Sequence, residues 1–316
     1  MKKVFNSIFV TLILPTLLLT GCWPATKNSD NTLRVLASTT FLADIAQNIA
    51  GGRVQVDSLL PFGTDPHAYQ AAPSDVAKIS ESDLLILNGV EYEHFVEALL
   101  ENAGGQRIIV EATAGLEPHS AEGNADETES GAGSEQEAGG TQGDPHMWLD
   151  PNLVITYVKN IRDGLIEVNP AGAETYQANA DVYIAQLKDL DAWIVEQVKA
   201  IPAGRRLMVT NHEALGYFAE RYGFEIVGAV IPSLSTDAGT SAKEMSSLIE
   251  QIKAAGAPAI FLGEVENPDL ANQIADETGV KVVDDLYLES LTDGAPAATY
   301  IDMMKHNVTR IVDGLK

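Results

Sequence analysis

Asp83-Leu84-Leu85-Ile86-Leu87, Phe95-Val96-Glu97-Ala98-Leu99-Leu100 and Arg107-Ile108-Ile109-Val110 follow one another closely, and their pattern decides the fold. After Asp83 the first run is short and apolar, as a buried strand would be. The second run spaces its apolar residues like one face of a helix, and the third reads as a strand again. Strands separated by helices imply βαβ units and a mostly parallel sheet.

The same rhythm extends in both directions. Upstream, Leu33–Ala37 and Val54–Leu60 read as strands, with Phe41–Ala50 and Val76–Ser80 as helices. Downstream, Asp150-Pro151 is an acidic cap followed by proline, a good helix start. Pro170 interrupts that helix, and Ala173–Ala200 then carries the longest helical pattern in the chain. Its apolar positions are Tyr176, Val182, Ile184, Leu187, Leu190, Trp193, Ile194 and Val198. At 1.5 Å per residue it spans roughly 40 Å, enough to run beneath two lobes. Beyond it, strands at Arg206–Thr210, Glu225–Val230, Ala259–Leu262 and Lys281–Val283 alternate with helices at Glu213–Arg221, Ala242–Ala254, Asp269–Glu277 and Tyr300–Leu315. The expected fold class is α/β: two similar lobes with mostly parallel sheets, residues 33–171 and 201–316, joined by a connecting helix at 172–200.

Two segments stand outside this pattern. Lys2 and Lys3 precede an apolar stretch from Ile8 to Leu19, too short for the roughly 20 residues of a membrane span. Leu19-Thr20-Gly21-Cys22 closes it like a lipoprotein cleavage box, so residues 1–21 read as a signal peptide, Cys22 as the lipidated residue and 22–32 as a polar tether. Cys22 is the single cysteine, which excludes an internal disulfide and a thiolate metal site. Residues 117–144 hold eight carboxylates and no lysine, arginine or large apolar side chain. Such a segment cannot bury enough surface to offset its ordering entropy, and a mobile acidic loop is expected. Over the whole chain 45 acidic residues face 20 basic ones, a net charge of −25. That field repels nucleic acid and attracts cations, so no nucleic-acid partner is expected.

Of six histidines, two sit in the same tripeptide, Asp65-Pro66-His67 and Asp144-Pro145-His146. Proline stiffens each turn, placing an imidazole beside a carboxylate suited to orient its other ring nitrogen. His212 follows the strand Arg206–Thr210 directly. Ligands of parallel α/β sheets gather beyond the carboxyl ends of strands, so these three imidazoles are candidates for one cleft. A lone histidine is more often a surface or core residue than a ligand; three at strand-to-helix turns weaken that reading.

The segment Leu60-Pro61-Phe62-Gly63-Thr64-Asp65-Pro66-His67-Ala68-Tyr69, with Pro73-Ser74-Asp75, resembles the first ligand motif of the zinc and manganese solute-binding lipoproteins of ABC importers, the ZnuA/TroA-like kind. Asp144 to Pro151 resembles the second motif, and Thr210-Asn211-His212-Glu213-Ala214 the third. The likeness covers essentially the whole mature chain. It implies two α/β lobes bridged by one rigid helix, a metal site in the interlobe cleft, a lipid anchor outside the membrane, and an ABC permease with its ATPase as partners. It also implies a monomeric receptor, and an adhesive role has been attributed to members of the family. By motif, His67, His146 and His212 are the imidazole ligands. The fourth position is a carboxylate in an acidic-Ser-Leu/Ile motif, here Leu288-Glu289-Ser290-Leu291, which points to Glu289. The family more often has aspartate there, so Asp285 stands as the alternative.

Three imidazoles and one carboxylate suit tetrahedral Zn²⁺. Mn²⁺, the alternative ion, favours more oxygen ligands, and the family's manganese receptors tend to carry a carboxylate where His212 stands. Protons compete for imidazole at an ordinary pKa of about 6.5, so affinity is expected to fall steeply below about pH 6. A zinc hydrolase is the enzyme alternative. His212-Glu213 opens like a zincin helix, but Gly216 stands where the second histidine is required, and no enzyme is expected.

Overall fold

Each half of the chain builds a sheet of the same design. The computed structural model describes Met1 and residues 33–120 and 143–316. In the first half, β1 (Val35–Ala37), α1 (Thr40–Ala50), β2 (Val56–Ser58), α2 (Pro73–Glu81), β3 (Leu84–Leu87), α3 (His94–Asn102) and β4 (Ile108–Glu111) alternate as the apolar rhythm requires. The strands pair in the order β2-β1-β3-β4, all parallel. After α4 (Pro151–Val168) and α5 (Ala173–Val198), the pattern returns with β5 (Leu207–Thr210), α6 (Gly216–Tyr222), β6 (Glu225–Ala229), α7 (Ala242–Ala255), β7 (Ala259–Gly263), α8 (Asp269–Thr278) and β8 (Lys281–Leu286). The second sheet has the matching order β6-β5-β7-β8, again all parallel. In both sheets the strand order reverses beside the first strand, and loops beyond the carboxyl ends part there to leave a crevice.

The connecting helix is what the sequence led one to expect, with one correction. α5 is 26 residues long, about 39 Å at helical rise. Its buried stripe is Tyr176, Ala180, Tyr183, Leu187, Leu190, Ile194 and Val198, in steps of three and four. Val182 lies off that stripe and is 60% exposed. α5 packs against α1, α4 and α9 (Tyr300–Leu315). Close approach also matters at Gly164 of α4, where an added Cβ would lie 2.3 Å from the Val110 side chain of β4. One apolar cluster runs from Val35 through α5 to Leu315, so the two sheets share a core.

Three element ends differ from the pattern. β2 keeps only three residues, and β8 extends to Leu286 by pairing with Gly263 past a register shift in β7. α6 begins at Gly216 instead of Glu213, because the Glu213 N–H is taken by Ser233 O and the Ala214 N–H by His212 O. Of the acidic segment, residues 121–142 lie outside the described residues, as do the signal peptide, Cys22 and the tether. The ends of that segment are joined by an antiparallel bridge between Ser120 and Gly143. Among the described residues no helix is long and apolar enough to cross a membrane.

The shared core makes a direct prediction. Leu187→Ala should lower unfolding free energy in urea by about 2–5 kcal/mol, whereas Val182→Ala should stay within about 0.5 kcal/mol of wild type.

Candidate metal centre

Both Asp-Pro-His turns close in the same way. Proline has no N–H to offer, so the aspartate carboxylate accepts from the histidine two residues on: His67 N–H to Asp65 Oδ1 and His146 N–H to Asp144 Oδ1, each 2.9 Å. The turns then diverge. Asp144 Oδ1 also lies 2.8 Å from His146 Nδ1 and orients that ring, as the sequence suggested. Asp65 instead uses Oδ2 to accept the Thr236 hydroxyl at 2.7 Å, from the other half of the chain.

His146 leads into a fully buried short helix, Met147–Leu149, before Asp150 caps α4. Trp148 Nε1 donates to Leu288 O at 2.9 Å, and Tyr300 Oη donates to Trp148 O at 2.7 Å. These bonds tie the His146 turn to the residue just before Glu289. Asn307 of α9 clasps the adjoining Tyr287 backbone from both sides, at 2.8 and 2.7 Å. His212 leaves the end of β5, and its Nδ1 sits 2.5 Å from Glu266 Oε1. Glu266 is itself held by the Gly263 N–H at the end of β7.

These supports bring His67, His146, His212 and Glu289 together, with one donor atom from each lying within 4.8 Å of the others. Glu289 Oε1 is 4.0, 3.6 and 3.4 Å from the Nε2 atoms of His67, His146 and His212. The three ring centroids form a triangle with sides of 5.7, 5.6 and 5.2 Å. All four side chains are buried, and the three Nε2 atoms and Oε1 have no hydrogen-bond partner among the described residues. Glu289 Oε2 is already engaged, accepting from Tyr92 Oη at 2.5 Å. Four unsatisfied polar atoms facing one point are what a cation-binding site presents before it is filled.

Electrostatics fit that description. Burial raises the Glu289 carboxyl, but the imidazoles, His212 foremost, outweigh it and hold it at about 2. Burial pulls His212 down, yet Glu266 and Glu289 on either side push it up to about 10. His67 has no second carboxylate on its ring; burial prevails over Glu289, and His146 and His212 add to it, so it falls to about 4.

The remaining candidates separate cleanly. Asp285, the alternative fourth residue, lies on β8 and accepts from Arg310 Nε at 2.7 Å; it is not part of the cluster. His306 Nε2 contacts Asp285 O. His119 stacks on Tyr217 at 4.0 Å and pairs with Glu220. Tyr92 and Glu266 escaped sequence reasoning. Nothing local marks them, since their partners lie 197 and 54 residues away. Gly216 has Asp144 Oδ2 only 3.2 Å from where a Cβ would stand, so a side chain there would have to push that carboxylate aside.

Residues 35–314 match the family described as ZnuA, zinc-uptake complex component A, periplasmic. The chain belongs to the ZnuA family. It is 34% identical over 320 residues to the manganese-binding lipoprotein MntA of Halalkalibacterium halodurans, covering 100% of this chain and 99% of that one. It is 31% identical over 311 residues to the iron-binding protein YfeA of Yersinia pestis, covering 98% and 95%. The periplasmic zinc binding protein TroA from Treponema pallidum superimposes with a TM-score of 0.77 at 29% identity, over 90% of this chain and 99% of that one. As a ZnuA-family member the protein is an extracytoplasmic, membrane-anchored, metal-binding component of an ABC importer. It works with a permease and an ATPase, and it is not an enzyme.

The raised His212 gives the pH dependence its sign. The free protein holds a proton there up to about pH 10, and an ion bound to that nitrogen must displace it. For that proton alone, apparent affinity should therefore rise by about tenfold per pH unit below about pH 10, and the lowered His67 adds a further loss only near pH 4. The dependence continues well above about pH 6.5, where an ordinary imidazole would no longer contribute one. Calorimetry at pH 7.5 in buffers of different ionisation enthalpy should report about one proton released per ion; no release would refute the assignment.

Proposed function

We propose that this protein captures Zn²⁺ outside the membrane and hands it to the importer's permease, with His67, His146, His212 and Glu289 as the four ligands. The observation that carries this reading is the donor set: three orphaned imidazole nitrogens and a single free carboxylate oxygen, all buried. Zn²⁺ has no preference for high coordination numbers and accepts four nitrogen and oxygen donors tetrahedrally. Mn²⁺ seeks about six, mostly oxygen. Tyr92 bears on this choice. By engaging Oε2 it leaves Glu289 one oxygen to offer, which favours a four-donor site over an expanded one. The relatives named above bind manganese, iron and zinc, so likeness alone points several ways. A manganese or iron receptor is the second reading.

Cys22 then carries the lipid and residues 22–32 the tether. The working lobes are 33–171 and 201–316, with 172–200 between them, and the receptor acts as a monomer. Metal-binding family members with this architecture deliver their ion at the membrane, and the negative field of the chain draws cations towards it.

Elemental analysis of the purified protein and competition between Zn²⁺ and Mn²⁺ test the choice of ion. Wild type should retain one zinc per chain against excess manganese; preferential retention of manganese would overturn the zinc reading. Replacing His67, His146 and His212 together with alanine should abolish retention, while Asp285→Asn should leave it unchanged. Tyr92→Phe frees Oε2 and should lower the zinc-to-manganese affinity ratio by about tenfold, the lower end of what losing a partner of a ligating residue costs. An unchanged ratio would remove Tyr92 from the selectivity argument.

A further inference from the structure

Between β6 and α7 the chain makes a long connection, and its residues Pro232–Ser235 border a cavity that His67 also lines. Its beginning is tied to the second sheet: Val230 N–H donates to Thr210 O at 2.9 Å, Ile231 N–H to Asn211 O at 2.7 Å, and Glu213 N–H to Ser233 O at 2.9 Å. From Ser233 onward the hydrogen bonds turn inward. Ser235 N–H donates to Ser233 Oγ at 3.1 Å, Asp237 N–H to Ser235 Oγ at 3.2 Å, and Ala238 N–H to Ser235 O at 3.4 Å. Among the described residues, the side-chain bond that carries this segment across to the first half is Thr236 Oγ1 to Asp65 Oδ2, 2.7 Å.

The segment has space on both flanks. On one side lies a cavity of about 240 Å³ bordered by His67, Glu213 and Pro232 to Ser235. On the other lies one of about 250 Å³ bordered by Asp65, Asn211, Ile231, Thr236, Asp237 and Glu266. None of residues 232–237 is buried, and a strip of surface chain with a cleft on each flank has somewhere to move. The two halves themselves do not. They share one apolar core through α5, and buried bonds join them at Trp148–Leu288, Thr40–Leu291 and Tyr92–Glu289.

We propose that Pro232–Asp237 is a lid over the metal centre, and that the Thr236–Asp65 hydrogen bond is its latch. The ion enters and leaves by a swing of this segment, and rotation of the halves contributes little. Asp65 makes the latch informative, because one carboxylate holds the His67 N–H with Oδ1 and the lid hydroxyl with Oδ2. An ion that fixes His67 fixes Asp65, and a fixed Asp65 holds the lid. Thr236 is a positioning residue, acting through Asp65. The inference rests on the proposed four-residue site but not on which ion it prefers.

The test is the rate of release of bound zinc, with manganese as a second probe, to excess chelator in stopped flow. Thr236→Val keeps the shape and removes the hydroxyl; with the hydrogen bond to the Asp65 carboxylate lost, it should speed release at least about tenfold. Thr236→Ser restores the hydroxyl and should return the rate to within about threefold of wild type, a residue of less than about 0.7 kcal/mol. A Val variant as slow as wild type, or a Ser variant as fast as Val, overturns the latch. Hydrogen exchange of wild type gives a readout independent of any variant. Amides 233–240 should slow on ion binding by more than those of α5, and equal slowing in both would favour rotation of the halves. Loss of the site itself would show separately, as failure of wild type to retain either ion.

Discussion

Everything in this fold turns on four polar atoms that are buried together and, among the described residues, left without a partner. A buried donor or acceptor left unpaired costs about 1–3 kcal/mol, and His67, His146, His212 and Glu289 each contribute one. A chain could remove that cost by scattering these side chains or wetting them. Instead, Tyr92 takes the second oxygen of Glu289, and Asp144 and Glu266 take the second ring nitrogens of His146 and His212. Each support satisfies one end of a ligand and leaves the other end bare, pointing at a common centre. The unmet demand is thus concentrated where an ion can meet it.

The two sheets make this concentration affordable in geometry. Parallel strands with the same order deliver their carboxyl ends to one region, so His212 beyond β5, Glu289 beyond β8 and Tyr92 beyond β3 arrive without long excursions. The bonds from Trp148 to Leu288 and from Leu291 to Thr40 bracket Glu289 on both sides in sequence. α5 carries the apolar core from one sheet to the other and keeps the distance between them fixed. Precision at the centre follows from stiffness well away from it.

How much of this could be read from sequence depends on the range of each interaction. The βαβ rhythm is local, and both sheets and the long helix were legible from it. The Asp-Pro-His turns were legible because their hydrogen bonds span two residues and proline leaves them little choice. Glu289 came from resemblance, and Asp285 stayed open until its pairing with Arg310, 25 residues along, placed it elsewhere. Glu266, Tyr92 and Thr236 were not legible at all, since each acts on a residue 54, 197 or 171 positions away. Val182 was misassigned for a related reason. Its apolar character fits a helix face in general, but which face is buried depends on where α1, α4 and α9 pack.

Charge explains how the fold tolerates the centre between ions. Glu289 stays ionised although buried, and Glu266 lies on the far side of His212. The imidazole between them, raised to about 10, keeps a proton at any ordinary pH. That proton is a unit positive charge standing where the ion's charge will be felt, and it offsets the carboxylates that would otherwise repel across a desolvated space. With the ligand set proposed above, binding is an exchange of cation for proton, with the His67 imidazole lowered and so kept neutral. The same exchange run backwards favours delivery: as the ion leaves, a proton from solvent can take its place, so the receptor need not pass through a state with buried carboxylates left unopposed.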